Sequence, residues 1–363
     1  MTFQLLAADD LDAEFLVSWG VLAARAAEPN PFFEPPFLLP ALAHLDQENG
    51  GEVRLLVMRD GAELTFLLPV VRRRRFKGLP LDTLVGWRHP HCFLGTPLAR
   101  ADALVPATRA LLGPTGPHAL GVSLVVLSWA ATEGPVVQAL VAEQRRAVPL
   151  VLDAFERPIL RRRPAADYED GLGRETRRRL AQRARALTRD LGEVTVVDRS
   201  DEPTATERFL ALEAAGWKGS EGTAIASDPA HAAFFREVAA GFAAMHRLEL
   251  RSLETADGTC LAMSVRLGAG DAGFCFKIAF DEQLRKYAPG LQLEVATLAG
   301  FHASEQQWVD ACTAPGNEFF EALFTDRRQI ANVLVPVGGA WATRLVGRLP
   351  MLRRWRARMR GGA

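Results

Sequence analysis

The chain has 363 residues, 48% of them hydrophobic and 24% charged, and its 43 basic and 43 acidic side chains cancel. That length accommodates two domains of ordinary size, and the balanced charge excludes a chain-wide field that would draw the protein to nucleic acid or membrane. Four cysteines, Cys92, Cys260, Cys275 and Cys312, lie far apart without a Cys-x-x-Cys pair. This argues against a disulfide scaffold or a structural zinc site and for a reducing compartment.

The opening MTFQLLAADDLDAEFL has no basic n-region and does not read as a secretory leader. The longest apolar run, Ala119 to Ala131, is too short to span a bilayer. A cytoplasmic protein is expected. In chain order, a strand near Phe3 to Leu6 precedes an amphipathic helix from Leu11 to Ala27, broken by Pro29-Asn30-Pro31. A helix over Pro36 to Leu45 follows. Strands Val53 to Met58 and Leu64 to Val71 flank the hairpin signal Asp60-Gly61. Leu81 to Val85 and Gly121 to Leu127 read as strands, Gly134 to Gln144 as a helix and Val148 to Ala154 as a strand.

Pro164 and Gly171-Leu172-Gly173 mark a boundary before an arginine-dense helix, Arg174 to Leu191. The plan then repeats. Val194 to Val197 is a strand, Ala205 to Trp217 and Pro229 to Met245 are helices, and Leu248 to Glu254 and Cys260 to Leu267 are strands around Asp257-Gly258. The matched positions of the two hairpins indicate weak internal duplication, hence two α/β domains with mixed sheets. The expected division is 1–165, 166–335 and a basic amphipathic tail, 336–363.

The chemistry concentrates between Phe274 and Leu298. Phe274, Phe276, Ile278 and Phe280 alternate with Cys275, Lys277 and Ala279, the period of a strand with a bulky face and a small-residue face bearing one lysine. Pro289 suits the first position of a helix, whose free amides at Gly290, Leu291 and Gln292 would favour an anion. Many strand–helix junctions share this form and bind nothing. Trp308 to Cys312 is read as the next strand.

LEAAGWKGSEGTAI, FKIAFDEQLRKYAPG, VDACTAPGNEFFEALFTDRRQI and EPNPFFEPPFLLPAL resemble motifs of the CelD/BcsL-type acetyltransferase family of the GNAT superfamily. The resemblance covers most of the chain. It implies two tandem GNAT-like acyltransferase domains, as in Fem-type aminoacyl transferases, an acyl-CoA donor and no metal. The usual pyrophosphate motif Arg/Gln-x-x-Gly-x-Gly/Ala is replaced by Arg285 to Leu291, with one glycine and an intruding proline. An acyl carrier or aminoacyl-tRNA donor therefore stays open, as does a non-catalytic adaptor that kept the fold.

Acyl transfer to an amine needs a neutral nucleophile, a stabilised oxyanion and a proton for the departing thiolate. The expected donor loop is Tyr287, Ala288, Pro289, Gly290, Leu291 and Gln292. Lys277 would sit beside the oxyanion, or else reach to solvent. Tyr287 would protonate the leaving sulfur, or simply pack. Asp310 would pair with Lys277 or accept the amine's proton, or form a structural ion pair. Glu213 and Trp217 share a helical face, and with Lys218 they would line an acceptor pocket in a cleft between the domains; Gly219 is read as that helix's C′ residue. Cys312 reads as a small core residue in preference to a nucleophile, and His89-Pro90-His91-Cys92 as a loop in preference to a metal site.

The tail WATRLVGRLPMLRRWRARMRGGA interleaves Trp341, Leu345, Leu349, Leu352 and Trp355 with arginines, Pro350 interrupting. It suits either an interfacial helix on anionic lipid over 341–360 or docking on its own domain. The expected acceptor is a small-molecule or lipid-like amine. Nucleic acid enters only as tRNA, and the tail adds a peripheral position on the inner face of the membrane.

Overall fold

The computed structural model describes residues 2–46, 52–143, 149–164 and 166–360, with side chains to 349. It is mixed α/β, as the sequence pattern requires. It divides into two compact units: Met1–Pro35, Asp46–Phe155 and Gln329–Ala363 form the first, and Pro36–Leu45 with Glu156–Arg328 the second. Helix Pro36 to Leu45 thus belongs with the later sequence, and the chain returns to the first unit at Gln329, unlike a cut at residue 165.

The elements in chain order are β1 (Phe3–Leu6), α1 (Ala13–Ala24), α2 (Pro35–Leu45), β2 (Val53–Asp60), β3 (Glu63–Arg73), β4 (Thr83–Gly86) and β5 (Leu98–Ala99). Then come α3 (Leu104–Leu112), β6 (Leu124–Ala131), α4 (Pro135–Ala142), β7 (Leu150–Arg161), α5 (Arg174–Leu191) and β8 (Val194–Asp198). They are followed by α6 (Ala205–Ala215), α7 (Trp217–Ser220), α8 (Pro229–Ala244), β9 (Leu248–Thr255), β10 (Cys260–Ala269) and β11 (Ala272–Phe280). The chain closes with α9 (Pro289–Ala299), β12 (Trp308–Asp310), α10 (Glu318–Leu323), β13 (Asp326–Pro336) and α11 (Gly339–Arg360). Gln144 and Val148, at the ends of two expected elements, lie outside the described residues.

In the first unit the strands run β1-β2-β3-β4-β6-β13, with β5 added to β3. Its pairs are antiparallel except β4 with β6. The second runs β7-β12-β11-β10-β9-β8, antiparallel except β11 with β12. Both hairpins turn on a glycine at positive φ, Gly61 (61°) and Gly258 (84°), which a Cβ would strain.

In the second unit, α9 covers one face of the sheet, joined by Ala186 and Leu187 of α5, which cluster with Leu253, Leu261 and Leu293. The other face carries α6, α8 and the inserted α2. Phe37 of α2 meets Phe234 and Phe276 edge-on, and His44 reaches Glu237 at 2.8 Å. Apolar helical stripes buried on a sheet supply most of the stability of such a layer.

The structure departs from the sequence reading at three points that shape the site or tail. The helix read as Ala205 to Trp217 ends at Ala215; Gly216 caps it and α7 starts at Trp217. Gly219 is not a C′ residue but lies inside α7, where a Cβ would fall 1.8 Å from the Ala214 carbonyl oxygen, so only glycine fits. Pro350 does not end the last helix, which continues to Arg360. Val346 and Leu349 of this helix pack with Leu81, Leu124 and Leu334 of its own unit, while Trp341 is exposed. The side chains of Leu352 and Trp355 lie outside the described residues. Among those residues no helix is long and apolar enough to cross a membrane.

Candidate functional site

Strand β11 does not keep the simple alternation its sequence suggests. Opposite it, β10 places Val265 against Lys277 and Arg266 against Cys275, so Phe276 is an extra residue in a β-bulge. Phe276 packs on Phe235 and Phe37 on the α8 and α2 side. Past the bulge, Lys277 comes beside Glu213 of α6, whereas Ile278 and Phe280 turn to Gly290 at the start of α9. The bulky and small faces expected for this strand therefore exchange partway along it.

A second irregularity opens the sheet here. Parallel pairing of β11 with β12 covers only Ala272↔Trp308, Gly273↔Val309 and Phe274↔Asp310. Beyond it β11 continues to Phe280 on β10, while the chain leaving β12 follows β7, the Ala311 N–H donating to the Pro158 carbonyl at 3.2 Å. Asp310 explains the parting. It is fully buried, accepts from Arg328 Nη1 at 3.0 Å and from the Cys312 N–H at 2.7 Å, and faces Arg157 at 3.7 Å. Two guanidinium groups thus tie β12 toward β7, away from the end of β11. From Cys275 onward, β11 has no strand partner on that side among the described residues.

The turn after β11 forms a 3-10 helix, Glu282–Tyr287, capped by Asp281 accepting from the Gln283 N–H. Ala288 takes φ 51° and Pro289 begins α9. The Gln292 N–H is bonded to the Ala288 carbonyl at 3.1 Å. Proline has no N–H, so the Gly290 and Leu291 amides are the donors that the first turn offers. A Cβ on Gly290 would lie 3.2 Å from Ile278 Cδ1, so glycine lets the helix start sit close on β11. The Gln292 side chain donates back to the Tyr287 carbonyl at 2.7 Å, bracing the loop.

Glu213 pairs with Lys218, and both lie within electrostatic reach of Lys277. Glu213 is buried; Oε1 accepts from Lys218 Nζ at 2.6 Å and Oε2 from the Ile225 N–H at 2.8 Å. Lys277 is half-buried on β11. Burial pushes its ammonium down to about 8, with Glu213 opposing the shift and Lys218 adding to it. Trp217 is 52% exposed, and Gly216 beside it lies against Glu282 of the turn after β11.

The remaining candidates take structural positions. The Tyr287 hydroxyl donates to Asp190 Oδ2 of α5 at 2.7 Å, and its ring clusters with Leu187 and Leu293. Asp310 forms an ion pair with Arg328 and Arg157, the structural alternative among its expected readings. Cys312 is buried, and burial holds its thiol well above the ordinary value, which suits a packed residue. His89, His91 and Cys92 are buried in a loop, and among the described residues no group of three His, Cys, Asp or Glu side chains is arranged for a metal. Arg157 and Arg328 were not singled out from the sequence. Nothing local in their sequence marks them as partners of Asp310.

Residues 174–321 match the family described as Acetyltransferase (GNAT) domain, a span that includes Glu213, Trp217, Lys218, Lys277, Asp310 and the loop from Tyr287 to Gln292. The chain thus carries a GNAT-type acetyltransferase domain in its second unit. Its fold extends further. A conserved protein of unknown function from Bacteroides thetaiotaomicron VPI-5482 superimposes with TM-score 0.56 at 10% identity, over 92% of this chain and 100% of that one. FemX gives 0.55 at 9% identity over 93% and 98%. The C-terminal domain (DUF2156) of a protein named as a lysylphosphatidylglycerol synthetase from Agrobacterium fabrum gives 0.53 at 11% over 94% and 97%. At these identities the likeness is one of fold. No curated protein matches the chain in sequence.

Proposed function

We propose that the protein is an N-acyltransferase of the CelD/BcsL type that moves an acyl group from acyl-CoA to an amine. One observation carries this reading: β11 parts from β12 beside a helix start with free amides and a lysine whose ammonium burial pushes down to about 8. A thioester lying along the open side of β11 would place its phosphates at the Gly290 and Leu291 amides. Its carbonyl would lie toward Lys277. The acceptor nitrogen attacks that carbon, the C–S bond breaks, and the proton lost by the nitrogen ends on the departing thiolate. Protonated Lys277 stabilises the oxyanion formed in between.

Trp217 and Lys218 line the approach of the acceptor, which we take to be an amphiphilic or lipid-linked amine because an exposed indole stands beside the cation. The arginines of α11 support a peripheral position on an anionic inner membrane surface. Incubation with mixed acyl-CoAs followed by mass spectrometry of the bound donor tests the assignment. A retained donor, lost on Gly290→Glu, is the expected result. No retained donor, together with unchanged melting in CoA, overturns it, because a ligand of the native state must raise the melting temperature. Tight, salt-sensitive tRNA binding in place of CoA assigns the donor to aminoacyl-tRNA.

A further inference from the structure

Helix α5 rests on the second unit through two leucines. Leu180 clusters with Leu172 and Leu298, and Leu187 with Leu253, Leu261 and Leu293. Seven positions separate them, about 10 Å along the helix. Between them Ala181 and Ala184 are too short to reach the sheet, so a groove of about 350 Å³ remains between α5 and α9, over β8 and β9. The two alanines form one wall, Val295 and Ala296 of α9 the other, and Val194 and Val196 of β8 the floor. Ala181 and Ala296 are exposed and the three valines half-buried, so apolar surface is left to water on both walls. Because Leu187 meets Leu293 and Leu180 meets Leu298, the helices run antiparallel, and the groove extends from Gln292 to Arg177.

The Arg177 end is charged. From Glu169 to Arg179, four arginines stand against the acids Glu169, Asp170 and Glu175, which leaves one positive charge. The ion pairs among them are long and exposed, Arg177 to Asp170 at 3.6 Å and Arg178 to Glu175 at 3.7 Å. Such pairs are worth little, so Arg177 can exchange its partner for a ligand carboxylate, which a guanidinium grips by two parallel hydrogen bonds. We propose that the groove binds one fatty-acid-type amphiphile, its alkyl chain lying between Ala184 and Val295 and its carboxylate on Arg177. A singly charged head matches the single charge left over, and a phosphate dianion exceeds it. The volume is at the small end for a ligand site, which suits one chain and not the two of a phospholipid. The site is separate from the donor cradle, since Gly290 faces Ile278 on β11, and it does not rest on the acyltransferase reading.

The test titrates the full chain with cis-parinaric acid, a fatty acid that fluoresces on leaving water. Saturable binding of one probe per chain, displaced by dodecanoate, is expected. Dodecyltrimethylammonium has the same chain and the opposite charge; it should displace the probe about tenfold less well, and Arg177→Glu should remove that preference. Ala181→Trp and Ala296→Trp plug the groove from opposite walls at exposed positions, so each should abolish binding while melting stays that of the parent. Equal displacement by both amphiphiles, or full binding in both folded tryptophan variants, overturns the inference. So does displacement by phosphatidylglycerol vesicles and not by dodecanoate, which gives the groove to a two-chain lipid. A parent that binds no probe overturns it as well; if that parent sediments as a dimer that Ala296→Trp dissociates, the groove belongs to a second copy. Should either tryptophan variant fail to fold, the other and Arg177→Glu decide.

Discussion

The two units share an order of elements but treat their parallel strand pair differently. In the first, β4 pairs with β6 from Thr83↔Leu124 to Val85↔Val126, and the chain then comes back along β6. The Gly95 N–H donates to the Trp129 carbonyl at 3.1 Å, Thr96 Oγ1 accepts from the Ala131 N–H at 3.0 Å, and the Arg88 guanidinium stacks 3.5 Å over the Trp129 ring. A Cβ on Gly95 would lie 1.9 Å from the Ser128 carbonyl oxygen. The chain itself lines the strand beyond the pair. In the second unit the corresponding pair ends at Phe274↔Asp310, Asp310 ties β12 to Arg157 of β7 and Arg328 of β13, and β11 goes on to a helix start with β10 as its one strand neighbour among the described residues. The same topology thus packs its own backbone in one unit and presents an edge in the other. That difference is why transfer chemistry is assigned to the second unit.

The strongest way to break this comparison is to remove the cation from the open pair. Lys277→Ala should lower kcat/KM by about 10²–10³, the usual cost of one oxyanion contact, with melting little changed. An unaffected rate, or an equal loss from Arg88→Ala in the first unit, reverses the assignment. Gly95→Ala makes the complementary case. Its Cβ meets backbone that has no room to move, so a loss of about 3 kcal/mol or more of stability is expected, read by urea unfolding. The surviving folded fraction should keep its specific activity. A stable Gly95→Ala protein would mean that the first unit's loop is not closed on β6.

Lys277 gives a smaller, pH-dependent effect with a definite sign. Its folded value, about 8, lies below the unfolded 10.5. Between these values the unfolded chain binds more protons, so stability rises with pH there, and the full penalty applies below pH 8. Lys277→Met should therefore be more stable than the parent by about 1–2 kcal/mol at pH 7 and equal to it above pH 10.5. A constant difference across that range would show that Lys277 titrates normally.

The features that set the two units apart are those least legible in the sequence. The hairpins announced themselves through Asp60-Gly61 and Asp257-Gly258, and Pro289 marked the start of α9, because turn and cap chemistry is local. The Phe276 bulge depends on how β10 registers against β11, which no period-2 count within one strand contains. Asp310 is more than a hundred residues from Arg157, so its role as a clamp was invisible, and the expected partnership with Lys277 followed only from adjacency of strands. β13 was not read from the sequence at all, since its apolar run does not alternate and its place beside β6 exists only once the chain has crossed back to the first unit. Glu213 was half legible: it was grouped with Trp217 and Lys218, but the shared helical face invoked for it is cut at Gly216, and Lys218 returns to it only through the tight turn at Gly219.

The least of the expected effects concerns Tyr287, and it separates positioning from chemistry inside the open unit. Its hydroxyl donates to Asp190, whose carboxyl is held low by Arg189 and by this same hydrogen bond, and the ring packs on α5 and α9. Removing the hydroxyl leaves Asp190 its arginine, so Tyr287→Phe should cost about 1 kcal/mol of stability, the net worth of one such bond. With the loop still braced by Gln292, kcat should change by no more than about twofold. A drop in kcat of about a hundredfold with an unchanged melting curve would give the phenol the thiolate's proton instead, because a bond that only steadies the loop cannot act on the chemical step while leaving the fold untouched.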